Sequence, residues 1–245
     1  MHRDELLHWL ETFLNPQAFR DRSLNGLQVE GREEIHRIGA AVDAAQAVFE
    51  KAQQAGVDFL IVHHGLFWGE PLPVVGPHRR RLALLLEAGI NLYASHLPLD
   101  AHPEVGNNAV LARALGLEEL APFEGIGVQG RFPLPISLSE IAERLGQLTQ
   151  MQCLVHQGGP GQVERVGIVS GAASELIPKA HAEGLELFIT GEPRHAAFHP
   201  TFELGLNVIY AGHYDTETFG VRALAQKIEE RFGLPWVFLD HPTGL

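Results

Sequence analysis

Apolar positions along the chain fall into two alternating periods. Leu6, Leu7, Leu10 and Leu14 recur at helical spacing ahead of Pro16, which predicts a first helix over about residues 2–14. A loop carrying Asn25–Gly26 follows, a dipeptide that reads as a tight turn. From Ile35 the pattern alternates between strand and helix. Ile38–Val42 is a short strand, and Ala44–Ala55 is a helix bearing Val48 and Phe49 that stops at Gly56. Phe59–Val62 is apolar throughout, as a strand covered on both faces must be. Arg79–Ala88 is a helix ending at Gly89, Ile90–Ala94 a strand, and Ala109–Leu115 a helix ending near Gly116, where Asn107 or Asn108 is a possible cap. The rhythm is βαβ, so the fold class is α/β.

The middle of the chain breaks that rhythm. It predicts an edge strand near Gln129–Phe132, a helix around Ser139–Leu148 capped by Ser137 or Ser139, and a strand around Gln152–His156. The stretch His156–Gly161 reads as a turn. The first pattern then returns: strand Arg165–Val169, helix Ser174–Ala182 stopped by Gly184, strands Leu187–Thr190 and Val208–Tyr210, helix Thr218–Phe232, and a last apolar run Trp236–Leu239.

That return is an internal repeat. Residues 37–64 align without gaps on 165–192 at an offset of 128, which sets Gly56 on Gly184 and His63–His64 on Gly191–Glu192. Residues 85–100 match 201–217 with one residue inserted, pairing Gly89 with Gly205, Asn91 with Asn207, and His96-x3-Asp100 with His213-x3-Glu217. A duplicated unit implies two similar lobes, about 35–120 and 163–240, related by a pseudo-twofold. A short segment of about 121–162 joins them within one compact domain spanning 1–245.

Composition narrows the function classes. A formal charge of −12 disfavours nucleic acid and anionic membranes and is compatible with cations. The single cysteine, Cys153, excludes an internal disulfide and a Cys-rich zinc cluster, and is expected to be a small buried apolar side chain. No stretch approaches the length of a membrane span and the first residues lack a signal-peptide core, so the expectation is a cytoplasmic protein. No phosphate-binding glycine motif occurs.

Fourteen histidines raise the question of which converge. His63 and His64 end the apolar strand 59–62, where the carboxyl end of a strand in an open α/β sheet meets ligands. Neighbouring strand residues point to opposite faces, so either the two straddle two ions or one packs while the other ligates. Asp100 follows the strand 90–94, and His213 and Glu217 follow the strand 208–210. Glu217 lies one helical turn beyond His213 and faces the same ion, or it is an acid in the first turn of the last helix. Imidazole with carboxylate suits Zn, Fe, Mn, Co or Ni. His96 is the repeat partner of His213 and reads as a neighbour of the ligands or a substrate-facing group. Thr190, Glu192 and His195, in TGEPRH, are candidates for the substrate wall or for proton transfer, as His96 is. His2, His8, His36, His78, His102, His156, His181, His199 and His241 read as surface or packing residues.

HHG at 63–65, SHLPLD at 95–100 and GHYDTE at 212–217, together with LNGLQV at 24–29 and TGE at 190–192, resemble the GTP cyclohydrolase type-2-like family, the NIF-three-like dinuclear metal proteins, in its short bacterial form. The resemblance covers essentially the whole chain. It implies a three-layer α/β/α protein holding two divalent metal ions per chain on His63, His64, Asp100, His213 and Glu217. It further implies a homohexamer built from dimers, and a hydrolase opening the imidazole ring of GTP or a related nucleotide. Leu97 stands where the family more often has threonine. Metal-cofactor handling without turnover would use the same ligands, and a third reading is a scaffold whose ring surface binds a protein partner independently of the metal.

Overall fold

The computed structural model describes all of residues 1–245. It contains two compact units, Met1–Val105 with Gly220–His241 and Gly106–Phe219 with Pro242–Leu245. The first begins with α1 (Arg3–Leu14), β1 (Gly26–Val29), β2 (Ile38–Asp43), α2 (Gln46–Gln54), β3 (Phe59–His64), α3 (Gly76–Ala88), β4 (Asn91–Ala94) and the one-turn α4 (Leu97–Asp100). The second holds α5 (Asn107–Leu115), β5 (Glu118–Phe123), β6 (Gly127–Ser137), α6 (Leu138–Thr149), β7 (Leu154–Gln157), β8 (Gln162–Ile168), α7 (Ile177–Ala182), β9 (Leu187–Thr190), α8 (Phe198–Glu203), β10 (Asn207–Tyr210) and the one-turn α9 (His213–Thr216). Helix α10 (Thr218–Phe232) and β11 (Trp236–Phe238) close the chain. No helix is long and apolar enough to cross a membrane.

The fold is mixed α/β with two sheets. In the first unit the order is β1-β4-β3-β2-β11, with β11, β2, β3 and β4 parallel and β1 antiparallel at the edge. Strand alternation explains why β3 is apolar on both faces. Phe59 and Ile61 pack with α1 and α10, whereas Leu60 and Val62 pack with Val48 and Phe49 of α2 and Leu85 of α3. In the second unit the order is β5-β6-β8-β9-β10-β7. Leu187 and Ile189 face α5 and α6, and Phe188 faces α7. Each unit therefore has helices on both faces of its sheet.

The repeat is visible in the register. Ile38 pairs with Phe59 and Val166 with Leu187; Phe59 pairs with Asn91 and Leu187 with Asn207. Both units add an antiparallel strand beyond the third, β1 on β4 and β7 on β10. The Asp58 carboxylate accepts the amides of His36 and Arg37, and Glu186, 128 residues on, accepts those of Glu164 and Arg165. Asn91 accepts from the Gly31 amide and donates to Arg32 and Asp58 carbonyls, while Asn207 accepts from Gly159 and donates to Pro160. The matched asparagines thus tie down the chain beyond each antiparallel edge strand.

Several local expectations change. Residues 121–162 supply strands and a helix to the second unit's sheet. The strand near 129–132 extends to Ser137 and lies between β5 and β8, so β5 is the edge. Pro133 and Pro135 sit where the β6–β8 register shifts, between Arg131 and Ile136, which spares the ladder their missing amides. Ser137, not Ser139, caps α6, accepting from the Glu140 amide at 3.2 Å. Asn107 and Asn108 are helical residues behind the N-cap Gly106; Asn108 instead accepts from the Ser170 amide and donates to the Ile126 carbonyl. The turn at 156–161 makes no hairpin, because β7 pairs with β10 rather than β8.

Candidate functional site

In the first unit, three strand ends and the loop before β1 converge. His63 is fully buried, and its Nδ1 lies 2.9 Å from the Ser95 carbonyl just beyond β4. A carbonyl only accepts, so Nδ1 carries a proton, and Nε2 faces Asp100, whose Oδ2 is 3.5 Å away. Asp100 reaches this position because residues 97–100 form a one-turn helix, N-capped by His96 and anchored by the buried Leu99. His64 turns its Nδ1 to Asp43 Oδ1 at 2.9 Å, at the end of β2. His96 turns its Nδ1 to the Asp21 carboxylate, 3.0 and 3.1 Å from its two oxygens. The donor atoms of His63, His64 and His96 lie within 4.8 Å of one another.

The LNGLQV and HHG motifs explain each other here. Asn25 accepts the His96 amide on its side-chain oxygen at 2.8 Å and donates from Nδ2 to Asp21. Asp21 also accepts the Leu97 and Ser23 amides. Burial acts to raise the Asp21 pKa, but hydrogen bonds from His96, Asn25 and Ser23 outweigh it and hold the carboxyl well below the usual carboxylate range. Gln28 fills the space over Gly65, where an added Cβ would lie 2.3 Å from its Nε2, and accepts the Leu66 amide at 2.6 Å. The Trp68 ring stands 5.0 Å from His96 and 5.9 Å from His64.

In the second unit, Glu192 and His213 lie just beyond the ends of β9 and β10. The His213 Nδ1 lies 2.5 Å from Glu192 Oε1, and its Nε2 lies 3.2 Å from Glu217 Oε1. Glu217 follows the single turn α9, so the four-residue spacing places it over His213 and not in the first turn of α10. It is 3% exposed. Burial opposes charge on His213, but Glu217 and Glu192 together outweigh it and push the pKa up to about 9. This corner is therefore built to stabilise positive charge. Gly171 makes room for it: φ is +65°, and a Cβ there would lie 2.3 Å from Glu217 Oε1 and 3.2 Å from His213 Nε2.

Of the remaining expectations, Thr190 is a buried structural hydroxyl, donating to the Gly171 carbonyl and accepting from the Ala173 amide. His195 is exposed at the start of a 3-10 turn, with no hydrogen bond to His213 or Glu192. His96 is part of the His63–His64 cluster, and Glu192 sits against His213. Sequence reasoning did not single out Asp21, Asp43 or the Ser95 carbonyl, which fix three imidazoles. Asp43 carried one signal, as a polar residue ending an apolar strand. Asp21 had none beyond its place before the Asn25 turn.

Four imidazoles thus have Nδ1 engaged by an oxygen acceptor, which fixes ring orientation as the outer partners of metal-bound histidines do. In the first unit Asp100 lies beside His63, and in the second Glu217 lies beside His213; each pairing of nitrogen with carboxylate suits a divalent transition ion.

A family model for Duf34/NIF3 (NGG1p interacting factor 3) matches residues 1–243. A Deinococcus radiodurans protein named GTP cyclohydrolase 1 type 2 homolog is 52% identical over 99% of this chain and 94% of its own length. An Escherichia coli K12 protein of the same name is 40% identical over 99% of each. Among solved structures, TTHA1606 from Thermus thermophilus has a TM-score of 0.96 at 63% identity, covering all of both chains. Reduced HcgD from Methanocaldococcus jannaschii has a TM-score of 0.88 at 28% identity, covering 98% of each.

Proposed function

Since the chain belongs to the Duf34/NIF3 (NGG1p interacting factor 3) family, we propose that it is a metal-dependent hydrolase acting on GTP or a related nucleotide heterocycle. Its ligands are His63, His64, Asp100, His213 and Glu217. The observation that carries this reading is the common arrangement of the histidines, each with Nδ1 tied to an oxygen so that Nε2 is the coordinating nitrogen. Two divalent ions on such a set would acidify a bound water and polarise an electrophile beside it. The chain's own residues do the orienting. Ser95 and Asp43 fix His63 and His64, Glu192 fixes His213, and the buried carboxylates of Asp100 and Glu217 balance the charge. The substrate class follows the name carried by the Deinococcus and Escherichia relatives. The resemblance also implies a homohexamer built from dimers, which light scattering on the purified protein tests.

A second reading, metal handling without turnover, is favoured by one observation. His96 stands among His63 and His64, and three imidazoles together with Asp100 would give one ion four protein ligands, closing the position that a hydrolase keeps open for water. One experiment addresses both. Wild type and Asp100→Ala are purified without added metal, their metal content is measured, and the loaded wild type is screened for formate release from GTP and other nucleotides. The expected content is about two ions per wild-type chain, falling in the variant. Loading without turnover selects metal handling; wild type that takes up no ion from any divalent transition salt defeats both readings.

A further inference from the structure

We propose that the connection from β3 into α3 is a nucleoside-phosphate subsite, in which Trp68 stacks on the heterocycle and Arg81, backed by Arg79 and Arg80, takes the phosphate groups. This deepens the nucleotide reading above and rests on it. None of these residues is among the proposed metal ligands.

Three observations carry it. The first is placement at the end of β3. The Trp68 ring centroid lies 5.9 Å from that of His64. Arg81 Nη1 reaches the Ala44 carbonyl at 3.5 Å, and the Ala44 amide donates to the His64 carbonyl at 2.8 Å. An indole and a guanidinium thus both border the carboxyl ends of parallel strands, where open α/β sheets bind ligands. The second is that both groups have capacity to spare. Trp68 is half-buried, and its Nε1 donates to the Gly65 carbonyl at 3.0 Å, which satisfies its one donor and fixes the ring. A fixed, partly exposed indole is a surface on which bases stack. Arg81 has five N–H donors, and its long contact to Ala44 uses one; its Nε has no partner. No carboxylate pairs with Arg79, Arg80 or Arg81, and Arg79 and Arg80 are exposed. Cations at the start of a helix oppose its dipole, so the cluster does not serve α3 itself. The third is the repeat. Counting back from the matched Gly89 and Gly205, Arg79–Arg81 stand opposite His195, Ala196 and Ala197. The second unit also runs from Thr190 to Gly205 by a shorter connection than the first unit's from Val62 to Gly89, and without a tryptophan. The same packing of helix on sheet is built there without these side chains, so they answer to something other than the fold. A flat heterocycle joined to phosphate is the ligand class that uses an indole and a guanidinium together.

The test titrates the full chain, loaded with Zn²⁺, with GTP, guanosine and inorganic triphosphate by calorimetry, and measures metal content before and after. Arg81→Gln should weaken GTP and triphosphate by about tenfold or more and leave guanosine unchanged. Arg81→Lys keeps the charge but loses the fork, so its loss should be smaller. Trp68→Leu should weaken GTP and guanosine by about tenfold and leave triphosphate unchanged, and Trp68→Phe should restore most of that loss. Arg144→Gln removes a charge from the exposed face of α6 and should change none of the three affinities. Arg81→Lys and Trp68→Phe keep the inference testable if the harsher variants fail to fold. A loss in Arg144→Gln as large as in Arg81→Gln would reduce the arginine effect to net charge and overturn it. A variant that lost its metal would owe its weaker binding to the ions, which would overturn the role given to that residue. Wild-type affinities in Arg81→Gln and Trp68→Leu would overturn this inference alone. Wild type that binds none of the three ligands would overturn the nucleotide reading as well.

Discussion

At the residue scale, the most demanding positions are ones without side chains. Gly171 has φ +65°, and any Cβ would press on Glu217 and His213. Gly56, at φ +66° with nothing within 4 Å of its Cβ position, is the matched control for backbone strain alone. Gly56→Ala should cost about 1–2 kcal/mol in urea unfolding, the strain of a left-handed alanine. Gly171→Ala should cost at least as much, and should also abolish ion uptake by the His213–Glu217 pair in calorimetric titration. Wild-type ion binding in Gly171→Ala would show that the pair does not need its present spacing. The asparagines make a second residue-scale case. Asn91 and Asn207 are both fully buried and both bridge backbone groups of separate segments. Alanine at either leaves buried donors and acceptors unmatched, so each variant should lose about 2–4 kcal/mol of stability by denaturant unfolding. Because the two roles are equivalent, the losses should be similar; a near-neutral effect at one would show that the repeat no longer does the same work in both units.

At the element scale, the parts legible in the sequence were those with two buried faces or a full helical period. β3 and β9 announced themselves because Phe59–Val62 and Leu187–Thr190 are buried throughout. Helices α1 and α10 did so because three or more turns repeat the apolar spacing. What stayed hidden was short or half-wet. β1 and β5 are edge strands with few buried residues, and α4, α8 and α9 run only four to six residues, too short for a period to register. The candidate ligands were readable from motifs, since each lies at or shortly beyond the end of a visible strand. Their partners were not, because Asp21 meets His96 across 75 residues and Asp43 meets His64 across 21. One consequence lies in the β7–α8 pair. The His156 ring of β7 packs against Phe198 and Phe202 of α8 and against Tyr210. Burial lowers its pKa, so the folded chain keeps it neutral while the unfolded chain protonates it below about pH 6.5. Stability is therefore full above that pH and falls as the pH drops toward the folded value. His156→Phe keeps a ring and removes the titration, so its stability relative to wild type should rise between about pH 8 and about pH 5. A difference that stays flat across that range would show that the ring is protonated equally well in both states.

At the scale of the whole molecule, charge sets a condition on any nucleotide chemistry. The chain carries 18 basic against 30 acidic residues, a formal −12, and a triphosphate approaches against that field. Of the basic groups near strand ends, Arg194 is paired with Glu175, and Arg79–Arg81 lie in the first turns of α3. Under the proposed metal-dependent reading, divalent ions would supply the strongest local positive potential, because a bound ion is the largest local charge in its site. Two consequences follow for a GTP-binding titration. Chelator-treated protein should bind GTP at least about tenfold more weakly than metal-loaded protein, a difference of about 1.4 kcal/mol. The salt responses should also differ in sign. Raising ionic strength from about 50 to about 300 mM shortens the screening length, so it should relieve repulsion in the metal-free protein and weaken attraction in the loaded one. If the metal-free protein instead bound GTP as tightly as the loaded form, with the same salt slope, the nucleotide would be held by something other than the ions. The substrate would then have to be sought among uncharged or cationic heterocycles, for which an acidic surface is no obstacle.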